Sequence, residues 1–434
     1  MGSEEKRPKP NGLLDRLIRE CRPEGARARA LELMKYIGPG LLVTVGFIDP
    51  GNWASNVSAG ADFGYTLLWV ITLSTVLLIL LQHNAAHLGI ATGNCLAEAA
   101  TIHLRRRYSI PILSSGILAA VATAYAELLG GAIALQMLFQ LPLRIGEVLM
   151  FLLAAVMLLT NSYRRIERWI IGFVSIIGFS FLIETFLAPV DWGTAAVAWV
   201  VPSIPPGSMP ILMSVLGAVV MPHNLFLHSE IIQSRQWQLS DKKVVDRQLR
   251  FEFLDTLFSM SVGWAINSAM ILLAASTFFA SGTKVTELGQ AQAMLKPLLG
   301  PAAAVIFAVG LLFAGISASL TAGMASGSIF AGFFKEPFDA TDKHSRMGIF
   351  VALVPALLLV LVTGDPFQGL IISQLLLSIQ LPVTVLLQIR LTSSRKVMGE
   401  YRNSTLNAAV LWLCAAVVTI LNLLLFKDLL LGLL

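Results

Sequence analysis

The stretch GFIDPGNWAS, residues 46–55, interrupts an apolar run with an acid, a proline, a glycine and an asparagine. Pro50 cannot donate a helix hydrogen bond and clashes with the preceding turn, and the glycine after it permits backbone angles that other residues avoid. The sequence therefore predicts a helix that stops near Ile48 and restarts near Asn52 or Trp53.

A second stretch, GAVVMPHNLFLHS at residues 217–229, carries the same kind of interruption about 170 residues later. Here Pro222 is predicted to break the helix in the same way. Backbone carbonyls freed by such breaks are tolerated within a membrane only where they line a cavity or bind an ion. The two breaks together therefore mark the candidate functional site.

The composition indicates that the chain is embedded in a lipid bilayer. Hydrophobic residues make up 56% of the 434 residues and charged residues only 13%, whereas soluble domains carry about 25% charged residues. So little polar surface cannot cover so apolar a core in water. The net charge of +5 belongs to the loops between spans, so no nucleic-acid partner is predicted.

A membrane-spanning helix needs about 20 mostly apolar residues, and the chain offers eleven candidates. They are 37–60, 64–90, 112–139, 144–160, 168–188, 209–233, 252–277, 301–333, 347–363, 367–389 and 405–429. Alternate connectors are rich in Lys and Arg, and the others nearly lack them. The positive-inside rule then places the N-terminus in the cytoplasm and the C-terminus outside.

The spacing of the two interrupted spans predicts an internal repeat. Gly/Pro-interrupted segments at matching places in two halves are typical of transporters with inverted repeats. We therefore divide the chain into a basic cytoplasmic tail (1–36), a first repeat of five spans (37–188), a second repeat of five spans (209–390), and an added eleventh span with an extracytoplasmic C-terminus (405–434).

The residues at the breaks form a mixed set of metal ligands. The side chains there are Asp49, Asn52, Met221, His223 and Asn224. The carbonyls freed near Gly46 and Ala218 add two further oxygens. Hard cations such as Mg²⁺ prefer all-oxygen shells, whereas first-row transition ions tolerate sulfur beside oxygen. A carboxylate combined with a thioether therefore favours a transition-metal substrate.

A structural explanation competes with the functional one for each residue. A methionine in a membrane helix more often packs than binds a metal, and an isolated His223 more often makes a helix hydrogen bond. An aspartate at mid-membrane depth costs roughly 2.5–3.5 kcal/mol and is functional by default. The occurrence of both sets at helix breaks in equivalent spans favours a shared site.

DPGN at 49–52 and MPHN at 221–224 resemble the two hallmark motifs of the Nramp family of divalent metal transporters. The resemblance continues along the chain in four further stretches. They are QHNAAHLGIATGNCLAEA (82–99), AELLGGAIALQMLF (126–139), HSEIIQSR (228–235) and ISQLLLSIQLP (372–382). The two hallmark motifs together, in spans one and six of eleven, are specific.

This resemblance implies an all-α polytopic membrane protein with a LeuT-like fold. It implies eleven transmembrane helices, two inverted five-helix repeats, and breaks in helices one and six. The implied activity is proton-coupled import of Mn²⁺ or Fe²⁺, with Co²⁺ and Cd²⁺ as further substrates. The protein would be a monomeric carrier in a bacterial inner membrane, not an enzyme, and without a cofactor beyond the transported ion.

The resemblance also implies roles for individual residues. The metal ligands would be Asp49, Asn52, Met221, the Ala218 carbonyl, Gln374 in some states, and the Gly46 carbonyl as a further candidate. The proton pathway would use Asp49, His223 and Glu127, with His228 and Arg235 along the inward route.

The chain departs from the family pattern where protons and gating are concerned. Ala124 occupies the place of an acid that usually precedes Glu127, and Ile316 and Ser328 replace two glutamines of span eight. An arginine pair that often enters span nine is also not clear here. Loose or altered proton coupling is therefore an open hypothesis.

Three other functions compete with this interpretation. An organic-solute or amino-acid carrier of LeuT-like fold would explain the broken helices but does not require Asp49 beside Met221. A relative specialised for Mg²⁺ or Al³⁺ would be expected to lack the thioether. A membrane metalloenzyme would need a catalytic cluster such as HExxH.

His83 and His87 are interpreted as polar helix-end residues, and Glu252 as an acid at the membrane interface.

Overall fold

The computed structural model describes residues 49–160, 163–233 and 242–433, and within these ranges the regular structure is helical. The predicted tail at 1–36, Gly46 and Arg235 lie outside the described residues. The described α-helices are α1 Pro50–Phe63, α2 Leu68–Thr92, α3 Leu96–His103, α4 Arg106–Phe139, α5 Leu143–Leu159, α6 Tyr163–Leu187, α7 Trp192–Ala198, α8 Met209–Val219, α9 Pro222–Gln233, α10 Lys242–Ala274, α11 Lys296–Leu299, α12 Ala303–Gly332, α13 Lys343–Leu361, α14 Pro366–Thr392, α15 Arg395–Met398 and α16 Thr405–Leu433.

Eight helical stretches of the described chain are long and apolar enough to cross a membrane. They are Leu68–Thr92, Arg106–Phe139, Met209–Ile232, Lys242–Phe279, Leu288–Gly332, Lys343–Leu361, Pro366–Thr392 and Thr405–Leu431. The other three predicted spans coincide with α1, α5 and the Ser175–Leu187 part of α6. The membrane-protein prediction is confirmed, and the count of eleven stays a prediction.

Large apolar side chains cover the outer face of the helical bundle. Leu118, Phe258, Val362 and Leu406 are among the most exposed of them. In water such a surface would drive aggregation, whereas against lipid tails it costs nothing. The exposed apolar belt therefore agrees with a bilayer around the described helices.

Helix α1 begins two or three residues earlier than the sequence predicts. Asp49 is the N-cap of α1 and Pro50 is the first helical residue, so the predicted restart near Asn52 or Trp53 is wrong. Proline fits the first helical position because that position needs no hydrogen-bond donor. The second break is confirmed, since α8 ends at Val219 and α9 begins at Pro222.

Close helix packing brings other helices against the two breaks. A methyl group on Gly51 would overlap the side chain of Gln374, and one on Gly217 would overlap the backbone oxygen of the same residue. The chain of α14 therefore lies directly against both α1 and α8. Next to α1, the fully buried Trp53 ring packs 4.9 Å from Phe307 of α12.

Candidate metal site

Asp49 is held at the start of α1 by hydrogen bonds to Asn52. The backbone N–H of Asn52 donates to Oδ1 of Asp49 over 2.7 Å, and the Asn52 side-chain Nδ2 donates to Oδ2 over 3.2 Å. A carboxylate at a helix N-cap is favourable because it meets unpaired N–H groups and the positive end of the helix dipole. The break thus fixes one buried carboxylate in a defined orientation.

Asn52 links the first break to the second. Its Nδ2 also donates to the carbonyl oxygen of Ala218, over 3.0 Å. Ala218 lies in the last turn of α8, where carbonyls lack intrahelical donors. One amide group therefore lies between the Asp49 carboxylate and the Ala218 carbonyl. Two predicted oxygen ligands from distant parts of the sequence share one hydrogen-bonding partner.

Gln374, on α14, lies beside the first break. Its side chain is fully buried against Gly51, and its Oε1 atom accepts no hydrogen bond in the described structure. Buried polar atoms are normally satisfied, and an exception asks for a water or an ion. Gln374 thus lies beside the first break, and its role as a ligand stays a prediction.

Met221 lies at the second break, one residue before α9. Its side chain is buried beside Ala119, Ala122 and Leu377, and its sulfur lies 3.2 Å from Nδ2 of Asn224. A polar group therefore contacts the sulfur directly, whereas a methionine that only fills apolar space needs no such contact. The thioether thus accepts a hydrogen bond where a soft ligand is predicted.

Two predicted proton carriers lie next to the breaks. Glu127 on α4 is fully buried, and neither of its oxygens has a hydrogen-bond partner in the described structure. It is three residues before Gly130, at which a methyl group would overlap Pro50, so Glu127 lies on the face of α4 that meets α1. His223 is fully buried, with Nδ1 3.4 Å from Oγ1 of Thr123.

The departures from the family pattern have distinct surroundings. Ala124 is fully buried on α4, so this helix carries no second acid one turn before Glu127. Ile316 packs in the apolar core beside α1 and α4. Ser328 donates to Oε2 of Glu230 over 2.9 Å, which ties α12 to α9. Each replacement has a packing or hydrogen-bonding role in this chain.

Small hydroxyl side chains hold the breaks together and were not anticipated from the sequence. Ser55 Oγ lies 2.6 Å from Ser214 Oγ and donates to the carbonyl of Gly51 over 2.9 Å. Ser214 donates to the carbonyl of Ile371 over 3.0 Å. These bonds connect α1, α8 and α14 around the site. The only sequence signal was a serine about one turn from each break.

His228, the predicted inward proton carrier, contacts the buried acid Glu252 on α10. Nε2 of His228 lies 3.3 Å from Oε1 of Glu252, and Nδ1 of His83 hydrogen-bonds to Oε2 of the same carboxylate. Glu252 is buried between these helices, and its position at the membrane interface stays a prediction. Sequence spacing could not reveal this cluster because its three residues lie on three helices.

The structure places the candidate ligands at or beside the two breaks. Asp49, Asn52 and the Ala218 carbonyl are joined directly, Gln374 lies against Gly51, and Met221 follows α8. Carboxylate, amide and carbonyl oxygens with one thioether suit a first-row transition ion.

Comparison with known proteins gives consistent results. A family model described as natural resistance-associated macrophage protein-like (Nramp) matches residues 40–428. The chain is 37% identical over 430 residues to the divalent metal cation transporter MntH of Nostoc sp., covering 96% of each chain. It is also 37% identical over 397 residues to the protein of that name from Granulibacter bethesdensis, covering 90% of this chain and 87% of the relative.

Solved structures show the same similarity at the level of the fold. A manganese transporter of Eremococcus coleocola superposes with a TM-score of 0.75 at 29% identity, covering 90% of this chain and 86% of that one. A transporter of the nucleobase-cation-symport-1 family superposes with a TM-score of 0.60 at 17% identity, covering 89% of this chain and 90% of that chain. The latter similarity concerns the fold alone.

Proposed function

This chain belongs to the Nramp family, and we propose that it imports Mn²⁺ through a site between its two helix breaks, driven by coupled protons. It is an integral membrane protein and a divalent metal ion transporter, not an enzyme. The choice of Mn²⁺ follows the names of its relatives, which include a manganese transporter. Fe²⁺, Co²⁺ and Cd²⁺ suit the same ligands.

One observation carries the proposed site. The Asp49 carboxylate and the Ala218 carbonyl, 169 positions apart in sequence, both accept from the same Nδ2 of Asn52. The two oxygens that share this amide group attract positive charge to the space between them. A divalent cation there would meet Asp49, Asn52 and Ala218, with Met221 and Gln374 completing the shell in different conformations.

The proposed cycle begins on the outer face. The ion sheds most of its water and binds between α1 and α8, where Asp49 supplies the charge and Met221 disfavours hard ions. One group of helices then rocks against the other and opens the site to the cytoplasm. The inward direction, the cytoplasmic N-terminus and the bacterial inner membrane are part of this proposal, as is a monomeric carrier.

The proton part of the proposal uses groups beside the metal. Metal binding requires a deprotonated Asp49 and therefore displaces any proton held there. Glu127 and His223 are the nearest candidates to receive that proton, because both are buried next to the breaks with open hydrogen-bonding capacity. The absence of an acid at Ala124 keeps loose coupling as the alternative. Arg235, the other inward candidate, lies outside the described residues.

Transport and coupling are measured together in proteoliposomes. The full chain is reconstituted with a trapped pH dye, and Mn²⁺ uptake is followed by loss of external metal or by radioactive tracer. Uptake with internal acidification supports the coupled carrier. Uptake without acidification supports a loosely coupled carrier or uniporter. Absence of uptake in a folded preparation would contradict manganese as the substrate.

The organic-solute alternative is not favoured. The relatives at 37% identity are named divalent metal cation transporters, and the described site presents a carboxylate and a thioether. An amino-acid carrier would instead need room for an organic ligand between the breaks. Substrate competition in the same proteoliposomes, with amino acids and nucleobases added outside, is expected to leave Mn²⁺ uptake unchanged.

Met221→Ala is expected to relax selectivity and to retain measurable Mn²⁺ uptake. The thioether favours Mn²⁺ over the harder Ca²⁺, so its loss should narrow the difference in affinity between the two ions. We expect Ca²⁺ to inhibit Mn²⁺ uptake about tenfold more effectively, a change of about 1.4 kcal/mol. The measurement is Mn²⁺ uptake against increasing Ca²⁺.

Met213→Ala is the matched control for this prediction. Met213 is a fully buried methionine on α8, in the same broken span, but it packs in the apolar core. Its truncation should lower stability without changing the Ca²⁺ competition. Equal competition in the wild type and in Met221→Ala would contradict a selectivity role for the sulfur.

A further inference from the structure

Three titratable side chains form a hydrogen-bonded row between α9, α10 and α2. His228 on α9 places Nε2 3.3 Å from Oε1 of Glu252, and Nδ1 of His83 on α2 hydrogen-bonds to Oε2. Thr256 also donates to Oε1 over 2.8 Å. The two imidazoles thus bind opposite oxygens of one carboxylate.

Exposure increases along this row from the interior to the surface. The side chain of His228 is 1% exposed, that of Glu252 is 6% exposed, and that of His83 is 33% exposed. A purely structural ion pair has no need of such a gradient. A proton that moves from His228 to His83 leaves the buried interior for a side chain that is one-third exposed.

The inner end of the row connects to the metal site along α9. Met221, Asn224 and His228 follow one another at spacings of three and four residues, so they lie on one face of the helix. Asn224 contacts the Met221 sulfur over 3.2 Å. His228 is seven residues from Met221, or roughly 10 Å along the axis. It is therefore close to the site but outside the set of proposed ligands.

Other side chains pack around the row, and two of them, His87 and Tyr401, are themselves titratable. His87, one turn after His83, stacks on it with ring centroids 6.5 Å apart, and Phe253 contacts His83 edge-on at 5.1 Å. Tyr401 contacts His87 edge-on at 6.4 Å. Gln82 lies 3.2 Å from Nδ1 of His228 and orients that ring.

We propose that His228, Glu252 and His83 form a proton-exit relay from the metal site to the cytoplasmic surface. This inference rests on the proton coupling proposed above and assigns its last steps. The proton displaced from Asp49 binds Nδ1 of His228 once the Gln82 amide turns its oxygen, in place of its Nε2, toward that nitrogen, and His228 releases a proton from Nε2 to Oε1 of the Glu252 carboxylate. The carboxylic acid group then rotates so that its O–H faces His83, and it gives that proton to Nδ1 of His83. His83 releases a proton from Nε2 to water. Each group gains one proton and loses one.

Glu252→Gln tests the relay directly. The amide keeps the size of the side chain and can still hydrogen-bond, but it cannot carry the proton. In proteoliposomes loaded with the pH dye, we expect the ratio of protons to Mn²⁺ transported to fall by at least about tenfold, because a positioned proton carrier is lost. Glu252→Asp, which keeps a titratable group, should restore part of that ratio.

Two further variants keep the test decisive. Glu184→Gln removes another buried glutamate, on α6 and outside the row, and should keep the wild-type ratio. His83→Gln changes the partly exposed end of the row and should reproduce the loss seen with Glu252→Gln even if that variant folds poorly. An unchanged ratio in both Glu252→Gln and His83→Gln would overturn the relay.

The outcome for the wild type separates this inference from the proposed function. Wild-type Mn²⁺ uptake without proton movement would overturn the relay and proton coupling, and would leave metal transport standing. No wild-type uptake of Mn²⁺ would reject the proposed substrate itself. Wild-type co-movement of protons and Mn²⁺ with a reduced ratio in Glu252→Gln supports both proposals.

Discussion

Asp49→Asn is expected to abolish Mn²⁺ uptake at concentrations that saturate the wild type. Removing one partner of a buried charged interaction costs about 3 kcal/mol or more, which lowers metal affinity by at least about a hundredfold. Asparagine is as good an N-cap as aspartate, so α1 should still begin at Pro50. The measurement is tracer Mn²⁺ uptake beside Mn²⁺ binding to the purified protein.

Asp62→Asn provides the matched control on the same helix. Asp62 is exposed near the end of α1 and accepts a hydrogen bond from Ser58 over 2.9 Å. Its neutralisation should leave uptake within about twofold of the wild type, since exposed charges contribute little. If Asp49→Asn bound and carried Mn²⁺ as well as Asp62→Asn, Asp49 would not be a metal ligand.

Gly217→Ala is expected to damage both stability and metal affinity. A methyl group there would overlap the backbone oxygen of Gln374 and lie 2.8 Å from the amide nitrogen of Ser378. Backbone atoms cannot rotate away as a side chain can, so α8 and α14 must separate. Overpacking of this kind costs about 1–3 kcal/mol. Separation also displaces the adjacent carbonyl of Ala218, which lowers Mn²⁺ affinity.

Gly263→Ala is the control for the glycine prediction. Gly263 lies inside α10, where an added methyl group meets no heavy atom within 4 Å. Alanine restricts the unfolded chain more than glycine does and causes no clash here. The free energy of unfolding should therefore rise by about 0.4–1 kcal/mol. The measurement is the midpoint of thermal unfolding in detergent. A midpoint for Gly217→Ala at or above that of Gly263→Ala would disprove close contact between α8 and α14.

The sequence predicts the features that depend on local chemistry. Proline and buried aspartate at the breaks, and the length of apolar runs, follow from the cost of unpaired backbone groups in lipid. The predicted start of α1 is two or three residues too late because proline is accepted at the first helical position, as Pro50 shows. The resemblance to the family then supplied Gln374, which no local pattern indicates.

Features that depend on contacts between distant helices could not be predicted. The side chains of His83, His228 and Glu252 meet only because α2, α9 and α10 pack together. Likewise, the lack of room for a methyl group on Gly217 depends on how closely α8 approaches Gln374 of α14. A single sequence records neither crossing angles nor registers between helices.

The Asn52 amide also bears on the return of the carrier without a bound metal ion. Its Nδ2 donates to both the Asp49 carboxylate and the Ala218 carbonyl, so a partial positive charge lies between two oxygens that would otherwise repel each other. If these oxygens bind the cation as proposed, the amide would have to turn its own oxygen toward the ion during loading. The same amide would then screen the two oxygens whenever the carrier returns without its cargo.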